Sequence, residues 1–289
     1  MIKLIAIDLD GTLLNDEITI SQRNIDAIKR ANEKGVEIVV ATGRADFDAA
    51  SFFKELDINP WIIATNGATI HSPEGKLFQS CPLDKQQAMN MLIQLEEDQF
   101  YYEAFIENKI CAPEYGKKIL IDEIEAGVRT DEENALIRRG IDIQFSQSAF
   151  TFISSYKELM NRDMDIYNIL VISYLEDKLK KGWEKYTALP HLTVVQSGRY
   201  NFHLQNEQAS KGNALKLLTQ KLGVKLSETA AIGDNHNDLS MLEIVGKSAA
   251  MGNADEVVKE VCDVITLNHN EDGVALFIES ILEECSGPL

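Results

Sequence analysis

The chain has 289 residues, 45% of them hydrophobic and 26% charged, and its 46 acids against 28 bases leave a formal net charge of −18. That length fits about two domains of roughly 100–200 residues each, with enough apolar residues for a sizeable core. So acidic a chain, with no basic patch along it, argues against nucleic acid or an anionic membrane as partner, and a phosphate site in it needs a metal ion or fixed donors to overcome the global field.

Leu4 to Ile7 is a short apolar run of the kind a buried parallel strand shows. Ser21 predicts a helix N-cap ahead of Ile25, Ile28 and Ala31 at helical spacing, with Gly35 as the stop. Val36 to Ala41 predicts a second buried strand, Ala45 to Leu56 a helix with Pro60 beyond it, and Trp61 to Thr65 a third strand. This alternation implies right-handed crossovers and a parallel sheet. From about residue 84 to residue 200 the texture changes. Helical stretches such as Lys85 to Glu97 alternate with isolated strands such as Phe100 to Ile106, Thr151 to Ser154 and Tyr167 to Ser173. The acidic stretch Asp122 to Glu133 reads as a solvated face or loop. The first pattern then returns, with a helix from Ser210 to Leu222 closed by Gly223 and a strand at Thr229 to Ile232. A helix at Leu239 to Val245, a strand at Ser248 to Met251, a helix at Asp255 to Val261 and a strand at Val264 to Leu267 complete it. The chain therefore reads as an α/β domain in two pieces, residues 1–83 and 201–289, with an α+β domain, residues 84–200, inserted between them.

Cys81, Cys111, Cys262 and Cys285 are widely spaced and form no CxxC pair, which predicts reduced thiols. The run from Ile2 to Ile7 is too short for a secretory apolar core, and no run reaches the ~20 apolar residues of a membrane helix. A cytoplasmic location is the expectation.

In an open parallel sheet, ligands bind at the carboxyl ends of the strands. Four polar clusters sit there or at helix starts: Asp8-Leu9-Asp10-Gly11-Thr12, Thr42-Gly43-Arg44, Ser210-Lys211-Gly212 and Gly233-Asp234-Asn235-His236-Asn237-Asp238. Asp8 and Asp10 are two apart, so in extended backbone both side chains leave one face. Carboxylates that close are tolerable around a hard cation such as Mg2+, which also screens Asp8 from an incoming phosphate. That makes Asp8 a candidate nucleophile toward phosphorus. Asp10 could serve as acid toward the leaving alcohol and base toward water. An ordinary Asp has a pKa near ~3.9, so this role requires an upward shift. The Thr42 hydroxyl and Gly43 amide are suitable donors to a phosphoryl group, Lys211 adds a full positive charge at a helix start, and Asp234 offers a third carboxylate. Asn235 and Asn237 can bond ligands or phosphate. Arg44 could pair with a substrate anion or within the core; His203 reads as a sheet residue and His236 as a surface one.

Together these residues resemble the haloacid dehalogenase (HAD) superfamily, specifically its Cof-type (class IIB) sugar-phosphate phosphatases. The stretches Thr65-Asn66-Gly67-Ala68, Met251-Gly252-Asn253-Ala254 and Glu271-Asp272-Gly273-Val274-Ala275 add to the likeness, which covers both halves of the core. The resemblance implies a Rossmannoid α/β core, a parallel sheet flanked by helices, with an inserted α/β (C2B-type) cap. It implies Asp8 as nucleophile and Asp10 as acid/base. Mg2+ would be held by Asp8, the Asp10 carbonyl and Asp234, with help near Asn235. Phosphate would be held by the Leu9 amide, Thr42, Gly43, Lys211 and Asn237, with Asp238 orienting Lys211 or metal-bound water. The substrate it implies is a small phosphorylated metabolite, with the choice set by the cap. The approach to Lys211, Phe202 to Ala209, departs from the family's usual text. A mutase must exclude water and re-bind a bisphosphate, which the inserted cap suits less; a phospho-receiver lacks a cap; a silenced relative would not keep all four motifs.

Overall fold

The computed structural model describes residues 1–107, 109–145, 150–160 and 164–284. Cys285 lies outside them; Cys81 and Cys262 are free thiols. The chain divides into two units, one of residues 1–80 with 209–289 and one of residues 81–208.

The first unit begins β1 (Leu4–Ile7), α1 (Gln22–Glu33), β2 (Glu37–Ala41), α2 (Asp46–Ser51), β3 (Trp61–Ala64), β4 (Thr69–His71) and β5 (Leu77–Ser80). The second unit then runs α3 (Lys85–Glu97), β6 (Tyr101–Ile106), β7 (Lys109–Pro113), α4 (Gly116–Ala126), α5 (Asp131–Phe145), β8 (Phe150–Ile153), α6 (Lys157–Met160), β9 (Ile166–Ile172), α7 (Glu176–Thr187), β10 (Leu192–Val195) and β11 (Asn201–Asn206). The first unit resumes with α8 (Lys211–Leu222), β12 (Thr229–Gly233), α9 (Leu239–Leu242), β13 (Lys247–Ala250), α10 (Glu256–Val261), β14 (Val264–Ile265) and α11 (Gly273–Glu284).

In the first unit eight strands lie in the order β14-β13-β12-β1-β2-β3-β4-β5. The six from β14 to β3 are parallel. β4 and β5, which the sequence reading did not anticipate, extend the sheet antiparallel. β1 and β2 are apolar runs buried throughout except for Glu37, as a sheet covered on both faces requires. Ser21 caps α1 by accepting from the Asn24 amide at 3.2 Å, and Ile25, Ala27, Ile28 and Ala31 carry its inward face. The expected helix from Ala45 to Leu56 stops at Ser51; beyond it the chain turns, with Asp57 at φ 54°. The helix expected from Leu239 to Val245 stops at Leu242. Ile7 pairs with Ile232 on one side and Val40 on the other. This register sets the ends of β1, β2 and β12 side by side. The connections from β1 and β12 leave in opposite directions along the sheet, and ligands bind at such a switch point.

In the second unit six strands lie in the order β10-β11-β9-β6-β7-β8. All neighbours are antiparallel except β7 and β8. One sheet face, with Tyr102, Ala104, Ile169, Val171, Phe202 and Leu204, packs against Leu92 and Leu95 of α3 and against Leu179, Trp183 and Tyr186 of α7. Tyr101 and Ala112, on the other face, join Leu120, Ile124 and Ile141 of α4 and α5. The boundary expected at residue 200 falls early: Asn201–Asn206 pairs with β9 and β10, so this unit runs on to Gln208. The acidic stretch is a mostly solvated face, apart from Glu123 and Ile124. It spans the end of α4 and the start of α5. Its Glu123 is buried, paired with Lys178 at 2.7 Å and accepting from Ser173 and the Tyr174 amide.

Glu103 in β6 is wholly buried. It accepts from the Tyr101 hydroxyl at 2.6 Å and from the Gln144 amide at 2.9 Å. Burial outweighs these donors and pushes its carboxyl from an ordinary 4.5 up to about 7. Because the folded value is the higher one, the stability this gives is fully present below pH 4.5 and is lost as pH rises through about 7. Ionised Glu103 costs on the order of 3 kcal/mol, so Glu103→Gln should flatten the fall in melting temperature between pH 5 and pH 8. Parallel pH profiles for the two proteins would contradict this.

Candidate active site

β1 delivers Asp8 one residue past its end, with the Asp8 amide donating to Ile232 O at 3.1 Å. The chain turns at once, Gly11 taking φ 77°. Asp8 and Asp10 are therefore not on one continuous strand: Asp8 is buried, while the Asp10 side chain is 53% exposed. Leu9 is buried between them, so what it can offer a ligand is its amide.

Lys211 opens α8 behind the Ser210 N-cap and is wholly buried. Its ammonium donates to Asp8 Oδ1 and Asp238 Oδ1, each at 2.6 Å. The two carboxylates hold it charged, raising its pKa against the effect of burial. Asp238 Oδ2 accepts from the amides of Asp234 and Asn235, at 3.0 and 3.1 Å. Both Asp238 oxygens are thus occupied, and its place in the site is to hold Lys211 and the Gly233–Asn235 turn. Asp234 lies beyond β12 and accepts from the Thr12 hydroxyl at 3.1 Å. The carboxylates of Asp8, Asp234 and Asp238 have oxygens within 4.8 Å of one another. Burial, reinforced by the Asp238 charge, pushes Asp234 up to about 6. The same two causes push Asp8 well above the carboxylate range, against the pull of Lys211.

Three carboxylates around one ammonium leave negative charge to be neutralised. With Asp238 spoken for, Asp8 and Asp234 remain, and one or two carboxylates with waters and a substrate oxygen is what Mg2+ prefers. The residues present fit that ion. Asn235 does not point the same way: its Oδ1 caps the next turn by accepting from the His236 amide at 2.7 Å.

Asp10 was expected as a proton donor. Both its oxygens instead accept from Arg44, from Nε at 2.8 Å and from Nη2 at 2.6 Å. Arg44 Nη1 donates to Asp48 at 2.7 Å, and the guanidinium lies over Phe52. Arg44 is thus paired within the protein, with exposed Asp10 and buried Asp48, and Asp10 has to leave it before either oxygen can carry a proton to a substrate.

Thr42 is buried at the end of β2, and its Oγ1 accepts from the Arg44 amide at 3.1 Å. Asn237 Nδ2 donates to Asn66 Oδ1 at 3.0 Å, and Gly43 lies against the same Asn66 carboxamide. Thr12, Asp48 and Asn66 are site residues that motif reading left without a role. Asn66 had a signal, since Asn-Gly directly after a strand favours left-handed backbone. Thr12 touches the site through Asp234, distant in sequence, and Asp48 through Arg44, four residues before it. His203 lies in β11, buried, and His236 is exposed beside Asp255, as expected.

An open α/β sheet with carboxylates and a buried lysine gathered at its strand ends is the layout of a hydrolase that handles phosphoryl groups. The model of the haloacid dehalogenase-like hydrolase family matches residues 5–278. The chain belongs to that family, in its Cof-type phosphatase branch, and is an enzyme of the phosphoric monoester hydrolase class. It is 44% identical to phosphatase YwpJ of Bacillus subtilis (strain 168) over 97% of this chain and 100% of that one. It is 34% identical to the 5-amino-6-(5-phospho-D-ribitylamino)uracil phosphatase YwtE of the same organism, over 97% and 98%. A solved haloacid dehalogenase-like hydrolase from B. subtilis superposes with a TM-score of 0.86 at 44% identity, covering 96% of this chain and 99% of that one. Among the described residues, no helix is long and apolar enough to cross a membrane.

Proposed function

We propose that the chain is a Mg2+-dependent phosphatase that hydrolyses small phosphorylated metabolites through an aspartyl-phosphate on Asp8. The observation that carries this reading is the buried Asp8–Lys211–Asp238 set with Asp234 beside it. A lysine enclosed by carboxylates beneath a strand end serves packing poorly and phosphoryl transfer well.

In this reading Asp8 attacks phosphorus and the ester oxygen leaves, taking a proton from Asp10 once that side chain has quit Arg44. Water then attacks the phosphorus of the acyl phosphate and gives its proton to Asp10, which releases inorganic phosphate and restores Asp8. Lys211, the Thr42 hydroxyl and the amides of Leu9 and Gly43 stabilise the charge on the transferring group, and Asn237 assists. Asp8, Asp234 and the Asp10 carbonyl would hold Mg2+, which when bound screens the nucleophile from the phosphate dianion and polarises its oxygens.

The substrate class includes sugar phosphates and phosphorylated cofactors. The substrate printed in the name of the YwtE relative, a ribityl phosphate carrying a heterocycle, falls within it. The acidic charge of the chain supports small-molecule partners over nucleic acid or membrane, and a cytoplasmic setting suits free thiols. The test is phosphate release from a panel of such compounds, that ribityl phosphate among them, with Mg2+ and with excess chelator. Chelation should stop release and added Mg2+ restore it; full activity in chelator would remove the metal from the account.

A further inference from the structure

Thr65, Asn66 and Gly67 follow β3 with φ of 53°, 54° and 96°. Two successive non-glycine residues in the left-handed region are strained, the β-branched Thr65 most of all. Strain of this kind persists where the surroundings enforce it, and they do so here. The Thr65 amide donates to Arg44 O at 2.8 Å and the Asn66 amide to Thr42 O at 2.9 Å. A Cβ on Gly67 would run into the Ser210 carbonyl, at the start of the helix that carries Lys211. The turn thereby ties the Thr42 cluster to the Lys211 cluster.

The Asn66 side chain is 1% exposed. Its Oδ1 accepts from Asn237 Nδ2 at 3.0 Å and would lie 3.1 Å from a Cβ on Gly43. Its other polar atom, Nδ2, is buried with no hydrogen-bond partner. A buried amide donor left unpaired is costly, and few native groups are in that state without a reason. The carboxamide that carries it lies against Gly43 and Asn237, and the Asn66 backbone amide bonds Thr42 O; phosphate binding is assigned above to all three. A phosphoryl oxygen only accepts, and a neutral amide N–H matches it without adding charge to the site.

We propose that Asn66 is a phosphate-contacting residue: its Nδ2 donates to an oxygen of the substrate's phosphoryl group while its Oδ1 fixes Asn237. This rests on the phosphatase reading for the identity of the anion. Asn66 then joins the three functional loops to the group they bind, which accounts for both the backbone strain and the unpaired amide.

Asn66→Asp tests it directly. Aspartate tolerates left-handed backbone nearly as well as asparagine, keeps the shape and keeps an acceptor for Asn237, but replaces the free donor by an anionic oxygen. Asn66→Gly removes both ends of the side chain without adding charge, at a position whose backbone suits glycine. Aryl-phosphate turnover, inhibition by inorganic phosphate and melting temperature are read on both variants and on wild type, with Mg2+ present. The expected result is folded variants with kcat/KM reduced about a hundredfold, the scale of losing one such donor, and phosphate inhibition weakened in both, more so in Asn66→Asp. A residue that only held Asn237 would make Asn66→Gly cause no further loss in an Asn237→Ala background, and that pattern overturns the proposal. A wild type that neither turns over the aryl phosphate nor binds inorganic phosphate overturns the phosphatase reading and the Asn66 assignment together.

Discussion

Asp8→Asn should leave a folded protein with no more than about a thousandth of wild-type turnover, the scale on which removal of a catalytic nucleophile is measured. The substitution keeps volume and shape, and Lys211 retains Asp238 at 2.6 Å as its counter-ion. It also takes one charge from a set in which Asp8, Asp234 and Asp238 crowd within 4.8 Å. Burial and the Asp238 charge already work against ionised Asp8, so without added metal the variant should melt no lower than wild type. The check is aryl-phosphate turnover beside a thermal melt. More than a few per cent of activity in a folded variant would sink the covalent mechanism, whatever the rest of the site does.

Lys211→Met is the second large effect, and it falls on stability as well as on rate. Lys211 is wholly buried, and its ammonium is bonded at 2.6 Å to each of two buried carboxylates. Removing one partner of a buried ion pair strands the other charge, at a cost of about 3–5 kcal/mol. A lysine in the first turn of a helix also runs against the helix dipole. Local structure gives no reason for it, which is why its place is better explained by a phosphate than by α8. The measurement is denaturant unfolding followed in the first unit, together with kcat. Adding Asp8→Asn to Lys211→Met should restore part of the lost stability, because one stranded carboxylate is gone. A single variant within about 1 kcal/mol of wild type would mean that the ion set is worth no more than a surface pair.

The alternation of short apolar runs with helices was enough to read β1, β2, β3 and β12, because strands covered on both faces are apolar throughout. β5 was missed for the opposite reason: Leu77, Phe78 and Gln79 sit exposed at an edge and carry no such signal. β11 was assigned to the wrong unit. Its Phe202 and Leu204 face a core while His203 and Gln205 on the other side are buried too, so alternation marks a strand but not the sheet to which it belongs. The four polar clusters were legible since each sits where a parallel sheet presents its loops. What spacing does not encode is pairing between loops. Arg44 takes Asp10, Thr12 takes Asp234, and Asn66 takes Asn237, through contacts that exist only once the strand ends are side by side.

Covalent capture tests the central claim most directly. The wild-type protein is mixed with an aryl phosphate and Mg2+ and quenched in acid within one turnover. The peptide that contains Asp8 is then weighed, with Asp8→Asn treated in parallel. A phosphoryl group on that peptide in wild type and absent from Asp8→Asn is the predicted result. Phosphate release in the same samples with every peptide unmodified, or with the phosphoryl group on another residue, would contradict it.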